Sequence, residues 1–106
     1  MKLGIVLSSN DPESVWSAFV LGTYSLAQGD DVRIYLVGKG VEAFYLEEND
    51  MGIKENIEFF LENGGELVAC GTCVDKRGRR DKTPCSIGSA EDLYNIVSWA
   101  EKIVSF

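Results

Sequence analysis

The chain reads as an α/β protein built on a parallel β-sheet with helices covering both faces. Three observations predict this. Short apolar runs at Lys2 to Leu7, Val32 to Val37 and Glu66 to Cys70 alternate with stretches whose apolar residues recur at helical spacing. The connections between them are short and drawn largely from Ser, Asn, Asp and Gly. Strand–helix–strand units joined this way pack as parallel strands, and their crossover helices bury the sheet.

Each element has its own justification. Lys2 to Leu7 is a short apolar first strand, and Ser8-Ser9-Asn10 turns out of it. Asp11-Pro12-Glu13 starts a helix, with an oxygen acceptor for the cap, a proline in the first turn and an acid at the positive dipole end. Trp16, Phe19, Val20, Thr23 and Ala27 then predict a core-facing stripe, ended by Gly29. Val32 to Val37, β-branched and aromatic, is the second strand. The stretch from Gly38 to Met51 is less regular, with a short helix expected at Gly40 to Tyr45 and an exposed turn at Glu47-Glu48-Asn49-Asp50.

From Ile53, the residues Ile57, Phe60 and Leu61 fit an amphipathic helix closed by Asn63-Gly64-Gly65. Glu66 to Cys70 is the third strand, Cys73 to Gly78 a short helix and Cys85 to Gly88 a weak fourth strand. Ser89-Ala90-Glu91-Asp92 has the form of a capping box with aspartate in the usual glutamate position. Leu93, Ile96, Val97 and Ala100 predict the core face of that helix, and Lys102 to Phe106 the last strand. Trp16, Phe19, Phe59, Phe60 and Trp99 read as core aromatics, with any exposed members available for a subunit contact. No repeat, low-complexity tract or linker divides the chain, so one domain over residues 1–106 is expected.

Hydrophobic content of 45% and charged content of 25% suit a soluble globular protein. The N-terminal apolar run is too brief for a signal peptide, and no run approaches a membrane span. A cytoplasmic protein without membrane contact is expected, whose three cysteines stay reduced unless used chemically. Net charge is −7, yet residues 76–82 carry five of the ten Lys and Arg and a single acid. The acidic remainder argues against direct nucleic-acid binding. The basic loop suits one anionic group or an acidic partner, or is simply a solvated loop. Histidine is absent. That removes Cys–His and Ser–His nucleophile pairs, histidine acid–base catalysis and histidine metal ligands together.

The chemistry therefore falls on Cys70-Gly71-Thr72-Cys73. Cys70 closes a buried strand, on the rim where open α/β sheets gather ligands. Lys76, Arg77, Arg79 and Arg80 follow closely, and cations favour a thiolate or persulfide anion. A buried cysteine is also a common inert core residue. The CxxC spacing with Cys73 supports a redox dithiol, half a zinc site, or a nucleophile with an accessory thiol. Zinc would need two more ligands, with only Cys85 left among the sulfurs, so no metal is assigned. A thioredoxin-like site fits poorly, because its CxxC follows the first strand and opens a long helix. Gly38-Lys39-Gly40 is too short for a nucleotide fingerprint and reads as a turn. Ser8 and Ser9 share the strand-end rim with Cys70, either contacting substrate or capping the loop.

The order of these features resembles the DsrE/DsrF-like sulfur-relay family over essentially the whole chain. The resemblance rests on a strand ending in Cys70, a short helix reaching Arg77-Gly78, then Gly88-Ser89-Ala90-Glu91-Asp92-Leu93 and the terminal Lys102-Ile103-Val104-Ser105-Phe106. In the relay subunits of that family the acceptor cysteine precedes a basic–glycine pair by eight residues, a spacing that Cys70 to Gly78 matches. The resemblance implies a three-layer α/β/α, DsrEFH-like domain with a five-stranded parallel sheet. It implies a homo- or hetero-oligomer, commonly a trimer or hexamer, that passes persulfide sulfur between donor and acceptor proteins without a dissociable organic cofactor. Cys70 is then the sulfur acceptor. Cys73 and Cys85 depart from the pattern, and Cys73 either resolves a Cys70 persulfide or is itself the acceptor. Lys76, Arg77 and Arg79 are expected to lower the thiol pKa and dock the partner. Two other functions stay open: a non-catalytic oligomeric binding subunit, and a CxxC dithiol redox or metal-binding protein.

Overall fold

Five strands, β1 (Lys2–Leu7), β2 (Asp31–Leu36), β3 (Glu66–Cys70), β4 (Ser86–Gly88) and β5 (Lys102–Ser105), form one all-parallel sheet in the order β4-β3-β2-β1-β5. The computed structural model describes residues 1–46 and 51–106; the exposed turn expected at Glu47-Glu48-Asn49-Asp50 lies outside them. Helices α1 (Pro12–Ala27), α2 (Ile53–Glu62), α3 (Gly71–Lys76) and α4 (Ala90–Trp99) join the strands, with 3₁₀ segments at Gly38–Tyr45 and Arg80–Lys82. Handedness explains the layers. The chain steps from β1 to β4 in one direction, so right-handed crossovers put α1 and α2 on one face. The return from β4 to β5 passes the other way and sets α4 on the opposite face. None of the helices among the described residues is long and apolar enough to cross a membrane.

The α1/α2 face holds most of the core. Ile5, Leu7, Ile34, Leu36 and Ala69 from the strands meet Val15, Ala18, Phe19, Ile57 and Phe60 from the helices, nearly all with no exposed surface. Phe19 and Phe60 pack edge to face, ring centroids 5.7 Å apart at 78°. Gly22 makes room for this, since a Cβ there would lie 2.9 Å from the Phe60 ring. The expected α1 stripe is therefore corrected by about one residue. Val15, Ala18, Phe19, Gly22 and Ser25 face inward, whereas Trp16 is 37% exposed and Ala27 lies on the surface. Large residues drew the expected stripe, but small ones let α1 approach the sheet and α2. Among the other aromatics, Phe59 is exposed and Trp99 stacks under the Arg33 guanidinium, 4.0 Å from the ring centre.

Caps follow the sequence closely. Asp11 accepts from the Ser14 N–H at 3.0 Å, and the Asp92 carboxylate accepts from the Ser89 N–H at 2.7 Å, completing the capping box. The α4 face is thinner than expected. Of the predicted quartet only Ile96 is buried, and Val97 is 49% exposed. A single helix over two or three strands buries one line of contacts, not a broad stripe.

Two short segments begin earlier than the sequence suggests, and both matter to the site. α3 starts directly at Gly71 with Cys70 as its cap, not at Cys73. It stops at Arg77 and Gly78, the latter in the left-handed region at φ +60°, which glycine adopts freely. The 3₁₀ segment starts at Gly38, not Gly40, and Gly40 lies on the end of β1, where any Cβ would collide with the Leu7 carbonyl. Gly38-Lys39-Gly40 thus opens a 3₁₀ helix held against the rim of the sheet.

Candidate functional site

Cys70 and Cys73 come together at the carboxyl end of β3. Because α3 begins immediately after the strand, Cys73 falls in its first turn, next to Cys70, and each thiol shifts the other's pKa. Both thiols are half-buried and unpaired by any disulfide. The 3₁₀ segment supplies a second contact, the Gly38 N–H donating to Cys73 Sγ at 3.2 Å. Both cysteines lie at one position on the rim, with a backbone donor that the short glycine motif did not suggest.

The two thiols differ in character. Burial pushes the Cys70 thiol up, but the Cys73 thiol, the Cys73 and Thr72 backbone N–H groups and the Tyr35 hydroxyl pull it down more strongly. Its pKa lies below the ordinary thiol value. Cys73 goes the other way: burial and its hydrogen bond to Cys70 push its thiol up, against the Gly38 N–H and the Arg77 charge. The two thiols are thus shifted in opposite directions, Cys70 toward its anion and Cys73 away from it. Cys85 is separate. It lies near Leu61 and Leu67 on the edge of the main core, and burial pushes its thiol up to about 11. Among the described residues, no group of three or more His, Cys, Asp or Glu has the geometry to hold a metal ion.

The basic loop is mostly engaged. Arg77 Nε donates to Glu42 Oε2 at 2.8 Å, and its Nη1 donates to the Cys73 carbonyl at 3.0 Å. Asn10 donates to the other Glu42 oxygen at 3.2 Å, tying the turn after β1 to the base of α3. Arg79 lies 4.4 Å over the Tyr45 ring. Arg80 forms two bonds to Asp75, at 2.8 and 2.9 Å. Lys76 closes α3 on the surface. Local hydrogen bonds, more than these cations, hold the Cys70 thiol down.

Ser8 and Ser9 sit at the end of β1, two strands or about 10 Å across the sheet from β3. Ser8 donates through its N–H and hydroxyl to the Phe106 carbonyl at 2.9 and 3.2 Å, joining β1 to β5. Ser9 accepts from the Asp11 N–H at 2.9 Å and sets the start of α1. The residue that sequence reasoning missed is Tyr35. Paired with Val68, it lies on the Cys70 face of the sheet, almost wholly buried. Its hydroxyl donates to the Ser89 carbonyl at 2.9 Å, next to Gly88, the residue paired with Cys70. Only strand order brings it there, and a tyrosine inside an apolar strand carries no signal of that. A separate apolar groove of about 550 Å³, between Phe44, Ile53, Ile57 and Leu61, contains none of the cysteines.

A model of the DsrE/DsrF-like family matches residues 1–106. The chain is 25% identical over 100 residues to an uncharacterized protein of Methanopyrus kandleri, covering 89% of this chain and 83% of the relative. It is 24% identical over 114 residues to an uncharacterized protein of Methanocaldococcus jannaschii, covering both chains in full. A conserved protein of unknown function from Bacteroides thetaiotaomicron has the same fold, with a TM-score of 0.79, 22% identity, and coverage of 99% of this chain and 94% of that one.

Proposed function

We propose a function on one premise: the chain belongs to the DsrE/DsrF-like family. Membership points to sulfur relay at the level of the family. The finer reading is that Cys70 accepts and passes on persulfide sulfur. The observation that carries it is the Cys70 thiol itself, half-buried where β3 ends and α3 begins, beside Cys73, with its pKa held below the ordinary thiol value.

The Cys70 thiolate attacks the terminal sulfur of a donor persulfide. A bond forms between Cys70 Sγ and that sulfur, the donor's own S–S bond breaks, and the donor leaves as a thiolate with the electron pair. An acceptor thiolate then attacks the outer sulfur, and Cys70 returns as thiolate. Neither transfer needs an oxidant or reductant. Cys73, kept protonated beside the acceptor, supplies a hydrogen bond to either anion and modulates release. Lys76 and the outer arginines would receive an acidic donor or acceptor protein, and the exposed Tyr94, Val97 and Ile103 support assembly with further copies of the chain. Incubating reduced protein with a persulfide donor and weighing it intact tests the assignment. Wild type gains one sulfur and Cys70→Ser none; equal loading in both sinks it.

The hydrogen-bonded Cys70–Cys73 pair also favours a second reading, a dithiol that a two-electron oxidant closes to a disulfide. A measured reduction potential near the cytosolic thiol pool, with no sulfur adduct, would favour that reading instead.

A further inference from the structure

We propose that the Tyr35 hydroxyl is an either/or donor that leaves the Ser89 carbonyl to hydrogen-bond the sulfur anion on Cys70, so that the charge on Cys70 is felt at the N-terminus of α4. The proposal deepens the sulfur-acceptor reading and rests on it. A tyrosine hydroxyl has one proton to give. The Ser89 carbonyl holds it at 2.9 Å, and the Cys70 sulfur, on the same face of the sheet and paired with Gly88, is the second acceptor it can turn to.

The placement follows from the register. Tyr35 pairs with Val68, and strand alternation puts Val68 and Cys70 on the same face; Cys70 pairs with Gly88, which precedes Ser89. Tyr35 is 1% exposed, so water does not compete for the hydroxyl. While Cys70 is a neutral thiol, the carbonyl is the better acceptor. Once Cys70 is a thiolate or a persulfide anion, a charged acceptor draws a hydrogen bond roughly twice as strong. Rotation of one O–H then exchanges the partners, with no proton transferred. Burial first, and the Cys70 charge next, push the phenol up to about 12, so it stays a donor throughout.

The surrounding charges leave this role to Tyr35. Asp92 of α4 faces the phenol and is negative, which favours keeping its proton. Cys73 of α3 shares the donor task at Cys70. The Arg77 charge acts on Cys73 while its side chain binds Glu42, and Arg80 lies over Gly71 while held by Asp75. The exchange also has a readout away from sulfur. The Ser89 carbonyl belongs to the same peptide group as the Ala90 N–H, the first residue of α4.

The test uses the full chain and iodoacetamide, with Cys70 alkylation followed against pH by peptide mass. Tyr35→Phe raises the midpoint and slows alkylation below it about tenfold, the effect of one hydrogen bond to a charged sulfur. In wild-type protein the Ala90 amide resonance titrates with the Cys70 midpoint, and Tyr35→Phe or Cys70→Ala removes that titration. An unchanged midpoint in Tyr35→Phe, or an Ala90 shift that persists in it, overturns the proposal. The wild-type Ala90 titration stays readable if Tyr35→Phe fails to fold, and its absence overturns the proposal too. Persulfide loading is scored separately: a shifted midpoint with no sulfur uptake rejects the relay and keeps the donor role, whereas uptake with an unchanged midpoint rejects only Tyr35.

Discussion

The two faces of the sheet are built to different standards. On the α1/α2 side, Val15, Phe19, Ile34, Leu36 and Phe60 are wholly buried and interlock through an aromatic pair. On the α4 side a single helix buries Ile96 and leaves Tyr94 and Val97 in solvent. The reactive end of β3 faces the thin side, where Tyr35, Ser89 and Asp92 converge near Cys70. Dense packing supplies stability, and it also excludes the polar exchange that a sulfur anion needs. Separating the two lets the rim carry half-buried thiols without a cavity or an unpaired charge inside the main core.

The comparison breaks most sharply at Phe60. Phe60→Ala should cost about 3–5 kcal/mol in a urea titration, because neighbours that meet at Gly22 have little freedom to collapse into the gap. A loss below about 1 kcal/mol would mean the core face is not the stronger one. Each face also has its own alkaline transition. Cys85, at the edge of the core, has its thiol pushed by burial up to about 11 from an ordinary 9.0. A raised folded value stabilises fully below the unfolded value and is lost as pH rises, so this contribution disappears between pH 9 and 11. That change would be worth about 2.7 kcal/mol in a fully buried group; partial exposure to solvent reduces it to roughly 1–2 kcal/mol, and Cys85→Ala should remove that part of the slope in stability measured against pH. The Tyr35 share, lost from pH 10 to about 12, should remain in that variant.

Smaller effects sharpen the thin side. Asp92→Ala removes the reciprocal capping bond to the Ser89 N–H. It should lower stability by about 1 kcal/mol in the same titration and shift the Ser89 and Ala90 amides. Val97→Ser, on the exposed face of α4, should change stability by less than about 0.5 kcal/mol. Should it also alter the sedimentation of the protein, the exposed residues of α4 serve assembly, not folding.

Much of this was legible from residue order. The Asp11 cap and the Ser89–Asp92 box announce their helices because a side-chain oxygen next to orphan N–H groups is a local bond, needing no distant partner. The parallel sheet follows equally from alternation and connection length. Trp16 and Val97 misled for one reason: periodicity marks a stripe, but which edge of it is buried depends on how closely the neighbouring layer approaches. The site divides the same way. Cys70 and Cys73 are visible as a motif at a strand end, whereas Tyr35, Gly38, Glu42 and Asn10 reach it only through strand order and loop path.

The sequence by itself determined the element types, the caps, the absence of histidine chemistry and the strand-end thiol pair, because each depends on neighbours within a few positions. Tertiary structure alone decided that the Cys70 thiol is pulled below its ordinary pKa while the Cys73 thiol is pushed above it. Tyr35, 35 residues away, and the helix that starts one residue after Cys70 favour its lowered thiol pKa, while the basic run that looked like its activator is largely bound to Glu42, Tyr45 and Asp75. Hydrogen bonds act over about 3 Å, and only the folded sheet brings Tyr35 of β2 within that distance of the Ser89 carbonyl, beside the end of β3.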